Sequence, residues 1–229
     1  MGLFDRDVMR RCRRGSLRIA ASMAIALLGL HAAARAQSQS NMDQNHGFLG
    51  IDRFDENEAK GIFSRPNQKR IDNLVLLTMG GVALWEGTDS RLGKTMWQSL
   101  DASLTGGLTT EAMKRLFARP RPSQNDDPRV WFDGSGHRSF PSGETALMAS
   151  FATPLILEYH QDYPAVWALA ALPLYMGKAR MASQGHWLTD VLGGAALGVT
   201  MGVLAHDREQ PLVLRLTGNG VFVGLKVRF

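Results

Sequence analysis

"FPSGETALMASFATPLILEY", residues 140–159, joins a turn to a long apolar run. Ser142 is a residue type that caps helices, and Gly143 lets a ligand come close to the backbone. The letters that follow predict a helix over about 143–159, kinked at Pro154. The first N–H groups of such a helix are unpaired and hold anions readily, although an ordinary N-cap has the same letters. The residue after the glycine is Glu144, an acid set where an anion would sit.

Outward from this stretch the chain stays helical. Residues 95–118 read as an amphipathic helix stopped by "RPRP" at 119–122, and 73–85 form a charge-free apolar run. A polar loop, 123–139, precedes the opening turn, and two further helical stretches follow at about 164–180 and 186–206, with a kink expected at Pro173. The fold class is all-α, a helical bundle. The run 191–205 has fifteen charge-free residues against the roughly 20 of a spanning helix. Mean hydropathy is −0.13. Both favour a bundle that is soluble or rests on a membrane surface over an integral one.

The two ends differ from this core. Residues 1–36 combine a basic start, an apolar stretch and "ARA" before Gln37, the pattern of a secretory signal peptide, with an uncleaved anchor as the other reading. That segment holds seven arginines and two aspartates, which leaves nineteen basic and nineteen acidic residues in 37–229. The net charge of +5 therefore belongs to the export signal and gives no reason to expect nucleic acid. The single cysteine, Cys12, also lies there, so thiol catalysis and Cys-ligated zinc are excluded from the remainder. Residues 37–70 form a polar N-terminal segment, 71–206 the helical domain, and 207–229 a short C-terminal β-hairpin turning at "GNG".

Three groups of residues suit one anion site. Lys114 and Arg121 are seven apart, two helical turns, though a basic helix end is also ordinary dipole complementation. Ser142 and Gly143 open the helix at 143. Arg180, His186 and Asp190 lie in "ARMASQGHWLTD", where four residues separate histidine from aspartate and a helical turn would let the carboxylate hold one imidazole nitrogen. A lone His-x-x-x-Asp is also commonly structural or half of a metal site, but no second histidine lies at helical spacing from His186.

Together, Lys-x6-Arg-Pro, Pro-Ser-Gly and Arg-x5-His-x3-Asp, spanning 114–190 in this order, resemble the type 2 phosphatidic acid phosphatase (PAP2) superfamily. That superfamily includes acid phosphatases, lipid phosphate phosphatases, undecaprenyl-diphosphate phosphatases and vanadium haloperoxidases. The resemblance implies that Lys114, Arg121 and Arg180 clamp phosphate oxygens, helped by the Ser142 hydroxyl and the Gly143 amide. It implies that His186 attacks phosphorus, that Asp190 orients the ring, and that neither metal nor cofactor is needed. Two positions depart from the pattern: Ala179 replaces a serine, and Glu144 replaces the histidine that protonates the leaving oxygen.

Glu144 has three readings. It is the substitute acid, its pKa raised by bound phosphate; or His137 of the loop supplies the proton; or the chain binds phosphate without turning it over. The expected activity is that of an exported, periplasmic phosphohydrolase, membrane-associated or soluble. Its partner is a phosphorylated small molecule or lipid. A vanadium haloperoxidase is a weaker alternative, because a carboxylate at 144 sits badly beside vanadate.

Overall fold

The computed structural model describes residues 50–52, 59–134 and 136–208. The expected export signal lies outside them, as does the expected hairpin apart from Asp207 and Arg208. Five α-helices and two short 3-10 segments make up the described chain, with no strand among the described residues. The helices are α1 (Arg65–Glu86), α2 (Arg91–Phe117), α3 (Gly143–Tyr159), α4 (Ala171–Ala182) and α5 (Leu188–His206).

Local sequence sets most of these bounds. Pro66 stands in the first turn of α1, and Gly87, at φ 69°, ends the helix. The Ser90 hydroxyl accepts from the Gly93 amide (2.9 Å) to start α2, which ends where Ala118 turns left-handed ahead of Arg119-Pro120. Pro173 does not kink a single helix over 164–180. Instead a 3-10 segment, Pro164–Ala170, gives way to α4, and Pro173 falls in the first turn, where a missing N–H costs nothing. α1 also begins earlier than the apolar run 73–85, inside the polar segment.

α3 is apolar on every side, and such a helix belongs in the middle. It is buried from Thr145 to Ile156 on nearly every turn and packs on α5, α2 and α4. Closest approach is to α5, where Gly194, Gly198 and Gly202 form a stripe four residues apart. A Cβ at these positions would lie 2.3 Å from the Ser142 carbonyl oxygen, 2.3 Å from the Ala146 carbonyl oxygen and 2.5 Å from Thr153. The stripe therefore sets how near α5 comes to the opening of α3. On the other side Val75, Met79 and Ala83 of α1 pack with Trp97, Met148, Phe151 and Met176.

The rest of α1 faces outward and carries large apolar side chains beyond the exposed Lys69 and Arg70. Leu74, Leu77, Leu84 and Trp85 are exposed, Trp85 at 89%. Nineteen residues long, α5 extends beyond the run 191–205 and is long and apolar enough, by length and composition, to cross a membrane. Its glycine face is spent on α3.

Candidate active site

Main-chain hydrogen bonds bring the three sequence groups together. The Ser139 amide donates to the Arg119 carbonyl (2.9 Å), the Ser142 amide to the Asp190 carbonyl (2.9 Å), and the Ser123 amide to the Gln184 carbonyl (3.1 Å). Each pair of groups is thus joined once, all at the end of the bundle where α2 stops and α3 and α5 begin. Ser142 occupies the N-cap position of α3 but does not cap with its side chain, because its hydroxyl pairs with Thr145 Oγ1 (2.9 Å).

His186 lies just before α5, with Trp187 as N-cap, so the expected helical turn between histidine and aspartate is absent. Asp190 instead sits in the first turn of α5, and its Oδ2 is 3.7 Å from His186 Nδ1. That separation is an ion-pair distance and not a hydrogen bond, and Nδ1 is buried with no hydrogen-bond partner. Oδ2 accepts from the Ser139 hydroxyl (2.5 Å) and the Trp187 amide (2.8 Å), while Oδ1 takes Arg119 (2.7 Å). Burial lowers the His186 pKa, and Arg180 and Arg121 add to it, against the pull of Asp190. The imidazole is therefore held neutral, as a nucleophile must be. Burial alone would raise Asp190, but Arg119 and the groups donating to the carboxylate hold it below the ordinary range.

Arg119 is the centre of this lower layer. Wholly buried, it donates to Asp190, to Thr189 Oγ1 (2.7 Å), to Asp52 Oδ2 (2.6 Å) and to the Pro128 carbonyl (2.7 Å), and it stacks on Trp131 at 4.1 Å. Asp52 also accepts from the Thr189 amide (2.8 Å), capping the start of α5 from the polar segment.

Above the histidine lies a second set of charges. Lys114 reaches the start of α3, where its Nζ would be 3.3 Å from a Cβ on Gly143. Arg180 is buried and passes so close over Gly185 that a Cβ there would lie 2.4 Å from its Nη2. Burial pulls the Arg180 guanidinium down to about 10. Burial likewise lowers Lys114, with Arg121 adding to the effect. The side chains of Lys114 and Arg121 have no hydrogen-bond or ion-pair partner among the described residues, and Arg180 Nε is buried without a hydrogen bond.

Glu144 projects into this set and is not left free. Arg65 of α1 holds it through both oxygens, Nη1 to Oε2 at 2.5 Å and Nη2 to Oε1, and Arg180 Nε lies 3.4 Å from Oε2. Burial raises the Glu144 pKa, but Arg65 and Arg180 more than reverse this, so the carboxyl is ionised in the resting site. His137 pairs with Asp133 on the loop (2.8 Å).

The structure therefore gathers Lys114, Arg121, Ser142, Gly143, Glu144, Arg180, His186 and Asp190, while His137 is paired with Asp133 on the loop. It adds Arg65, Gln68, Asp72, Arg119, Ser139 and Asp52, none of which the sequence reading singled out. Among the described residues no three His, Cys, Asp or Glu side chains gather as a metal-holding group.

The helical bundle sets His186 beneath Lys114, Arg121 and Arg180 at the start of α3, a concentration of positive charge that suits an oxyanion. The chain belongs to the PAP2 superfamily, whose family model matches residues 96–211, just over half its length. It is also similar to the lipid A 1-phosphatase of Porphyromonas gingivalis, at 34% identity over 134 residues. That match covers 57% of this chain but 27% of the relative, so the chain aligns with only about a quarter of that protein. No solved structure matches it.

Proposed function

We propose that this protein is an exported phosphohydrolase that acts at a membrane surface on a lipid-linked phosphomonoester or diphosphate. The observation that carries the reading is the seat over His186, where Lys114, Arg121 and Arg180 converge without a full complement of anions. A phosphoryl transition state needs positioning and positive charge above all, and this set supplies both. The similarity to a lipid A 1-phosphatase and the exposed apolar face of α1 support a lipid substrate.

In the proposed reaction the phosphate oxygens take Lys114, Arg121, Arg180, the Ser142 hydroxyl and the Gly143 amide. His186 Nε2 attacks phosphorus, the bond to the leaving oxygen breaks, and a proton from Glu144 goes to that oxygen. Water then attacks the phosphohistidine, the P–N bond breaks, and Glu144 takes the proton water gives up. Glu144 must be protonated for the first step, yet Arg65 holds it ionised at rest. An entering dianion competes for Arg65 and Arg180 and sets a like charge beside Glu144, and both effects raise its pKa.

The bidentate Arg65–Glu144 pair also favours a second reading, a phosphate-binding protein without turnover, since a pair that never opens leaves no acid. Phosphate release by the full chain from a soluble monoester and a lipid phosphate, over pH 4–9, separates the two. The first reading expects release, abolished in His186→Ala, with phosphohistidine trapped on His186 in the parent. Vanadate binding with no release from either substrate and no trapped phosphohistidine would establish the binder.

A further inference from the structure

Arg65 and Gln68 stand three residues apart on α1 and share one of its faces. Gln68 is a buried post. Its Nε2 donates to the Phe63 carbonyl (2.8 Å) and the Ala179 carbonyl (3.1 Å), which ties the start of α1 to α4. Its Oε1 accepts from two guanidiniums at once, from Arg65 Nη1 (2.8 Å) and Arg180 Nη1 (3.2 Å). The same two guanidiniums meet again at Glu144 Oε2, with Arg65 Nη1 at 2.5 Å and Arg180 Nε at 3.4 Å. Arginines that share two acceptor oxygens are fixed beside one another, and the anion they hold in common is the Glu144 carboxylate.

The arginine fork takes carboxylate and phosphate with the same pair of N–H groups. Glu144, bound through both oxygens, therefore engages Arg65 in the way a phosphate would. It serves Arg180 less well, since Arg180 Nε is buried and has no hydrogen bond. The Arg65 side chain is 41% exposed against 6% for Arg180, so the carboxylate can be released from the solvent side. Gln68 Oε1 would still hold Arg65 Nη1 in place after that release.

We propose that Arg65 is a fourth phosphate-binding cation, supplied by α1, and that the Glu144 carboxylate is the resting occupant of the seat, displaced from Arg65 and Arg180 by a substrate phosphate. The inference rests on the reading of the seat over His186 as phosphate-binding, and it holds whichever group gives the proton. Binding is then an exchange of anions. The two Arg65–Glu144 hydrogen bonds break, and both arginines donate to phosphate oxygens instead. A carboxylate tethered next to its arginines competes at a high effective concentration. The affinity for phosphate is thus reduced by the fraction of time the pair stays closed.

The test titrates orthovanadate into the full chain at neutral pH, followed by calorimetry. The chain is taken as parent, Glu144→Gln, Arg65→Met, Arg65→Met/Glu144→Gln and Arg121→Ala. Glu144→Gln removes the tethered competitor and should bind vanadate at least about tenfold more tightly than the parent. In that background Arg65→Met should cost about 10–100-fold, as for one charge-assisted contact, because Arg65 then meets the vanadate directly. Arg65→Met alone should also bind more weakly than the parent.

Were Arg65 no more than the counter-ion of Glu144, its loss would weaken binding in the parent and not in the Glu144→Gln chain, and that result overturns the proposal. An affinity that does not rise in Glu144→Gln overturns it as well, because the carboxylate is then no competitor. Should Arg65→Met not fold, the double variant leaves no carboxylate unpaired at 144, and its comparison with Glu144→Gln still decides. Vanadate bound by neither the parent nor Glu144→Gln would sink the phosphate-binding reading of the seat itself. A loss in Arg121→Ala without one in the double variant sinks the role of Arg65 alone.

Discussion

Arg119 and Arg121 stand two residues apart, and the layers they belong to are opposites. Below His186, Arg119 is closed in by Asp52, Asp190, Thr189 and the Pro128 carbonyl, with no exposed surface. Above it, Arg121 joins Lys114 and Arg180 in a group with too few anions among the described residues. Arg119 spends both of its Nη groups on buried partners, leaving only a buried Nε without a hydrogen bond, and such a pairing costs much to break. An unsatisfied cation group repels itself and is relieved by an incoming anion. The same side chain thus holds the fold in one layer and, in the function we propose, meets the substrate in the other, and the difference lies in how many partners each has.

The contrast breaks most visibly at Arg119. Arg119→Met leaves two buried carboxylates without their counter-charge and should cost about 3–5 kcal/mol, read from urea unfolding. An unchanged midpoint would erase the distinction between layers. The lower layer should also respond to acid. The Asp190 pKa is depressed in the folded chain, so its stabilisation is complete above the unfolded value of about 3.9 and is lost as pH falls through the folded one. Unfolding measured from pH 7 down to 3 should show this loss, and Asp190→Asn should flatten it.

Arg121→Ala should do the reverse of Arg119→Met. Vanadate affinity should fall about 10–100-fold, as for one charge-assisted contact, while the unfolding midpoint stays put or rises. Titration and a thermal melt on the same sample decide it. Ser139→Ala removes one of the two donors on Asp190 Oδ2 and should cost about 1–2 kcal/mol of stability, because the Trp187 amide remains. Smallest of all, Glu111→Gln weakens surface pairs with Arg115 (3.2 Å) and Arg138 (3.0 Å) and should shift the midpoint by no more than about 0.5 kcal/mol.

Much of this was legible in the letters. The stretch at 143–159 and the runs at 95–118 and 186–206 announce their helices through length, period and proline stops, and the site groups between 114 and 190 meet as their spacing suggested. α1 was cut short because its first turns, "RPNQKRID", carry charge on the face that turns inward, and a charged face normally reads as solvated. The 65, 68, 72 spacing was the available signal. Arg119 could not be told from Arg121 by sequence, since its partners Asp52 and Asp190 lie 67 and 71 residues away. The state of Glu144 depended on Arg65, 79 residues distant, and no local pattern encodes such a pairing.

The three main-chain bonds that tie Arg119 to Ser139, Asp190 to Ser142 and Gln184 to Ser123 involve no side chain. A peptide group is the same whatever residue carries it, so these three ties do not depend on which residue occupies position 144. In the reaction we propose, the glutamate is then a change of tool in an unchanged handle. The backbone around position 144 is held by ties that a substitution there leaves in place.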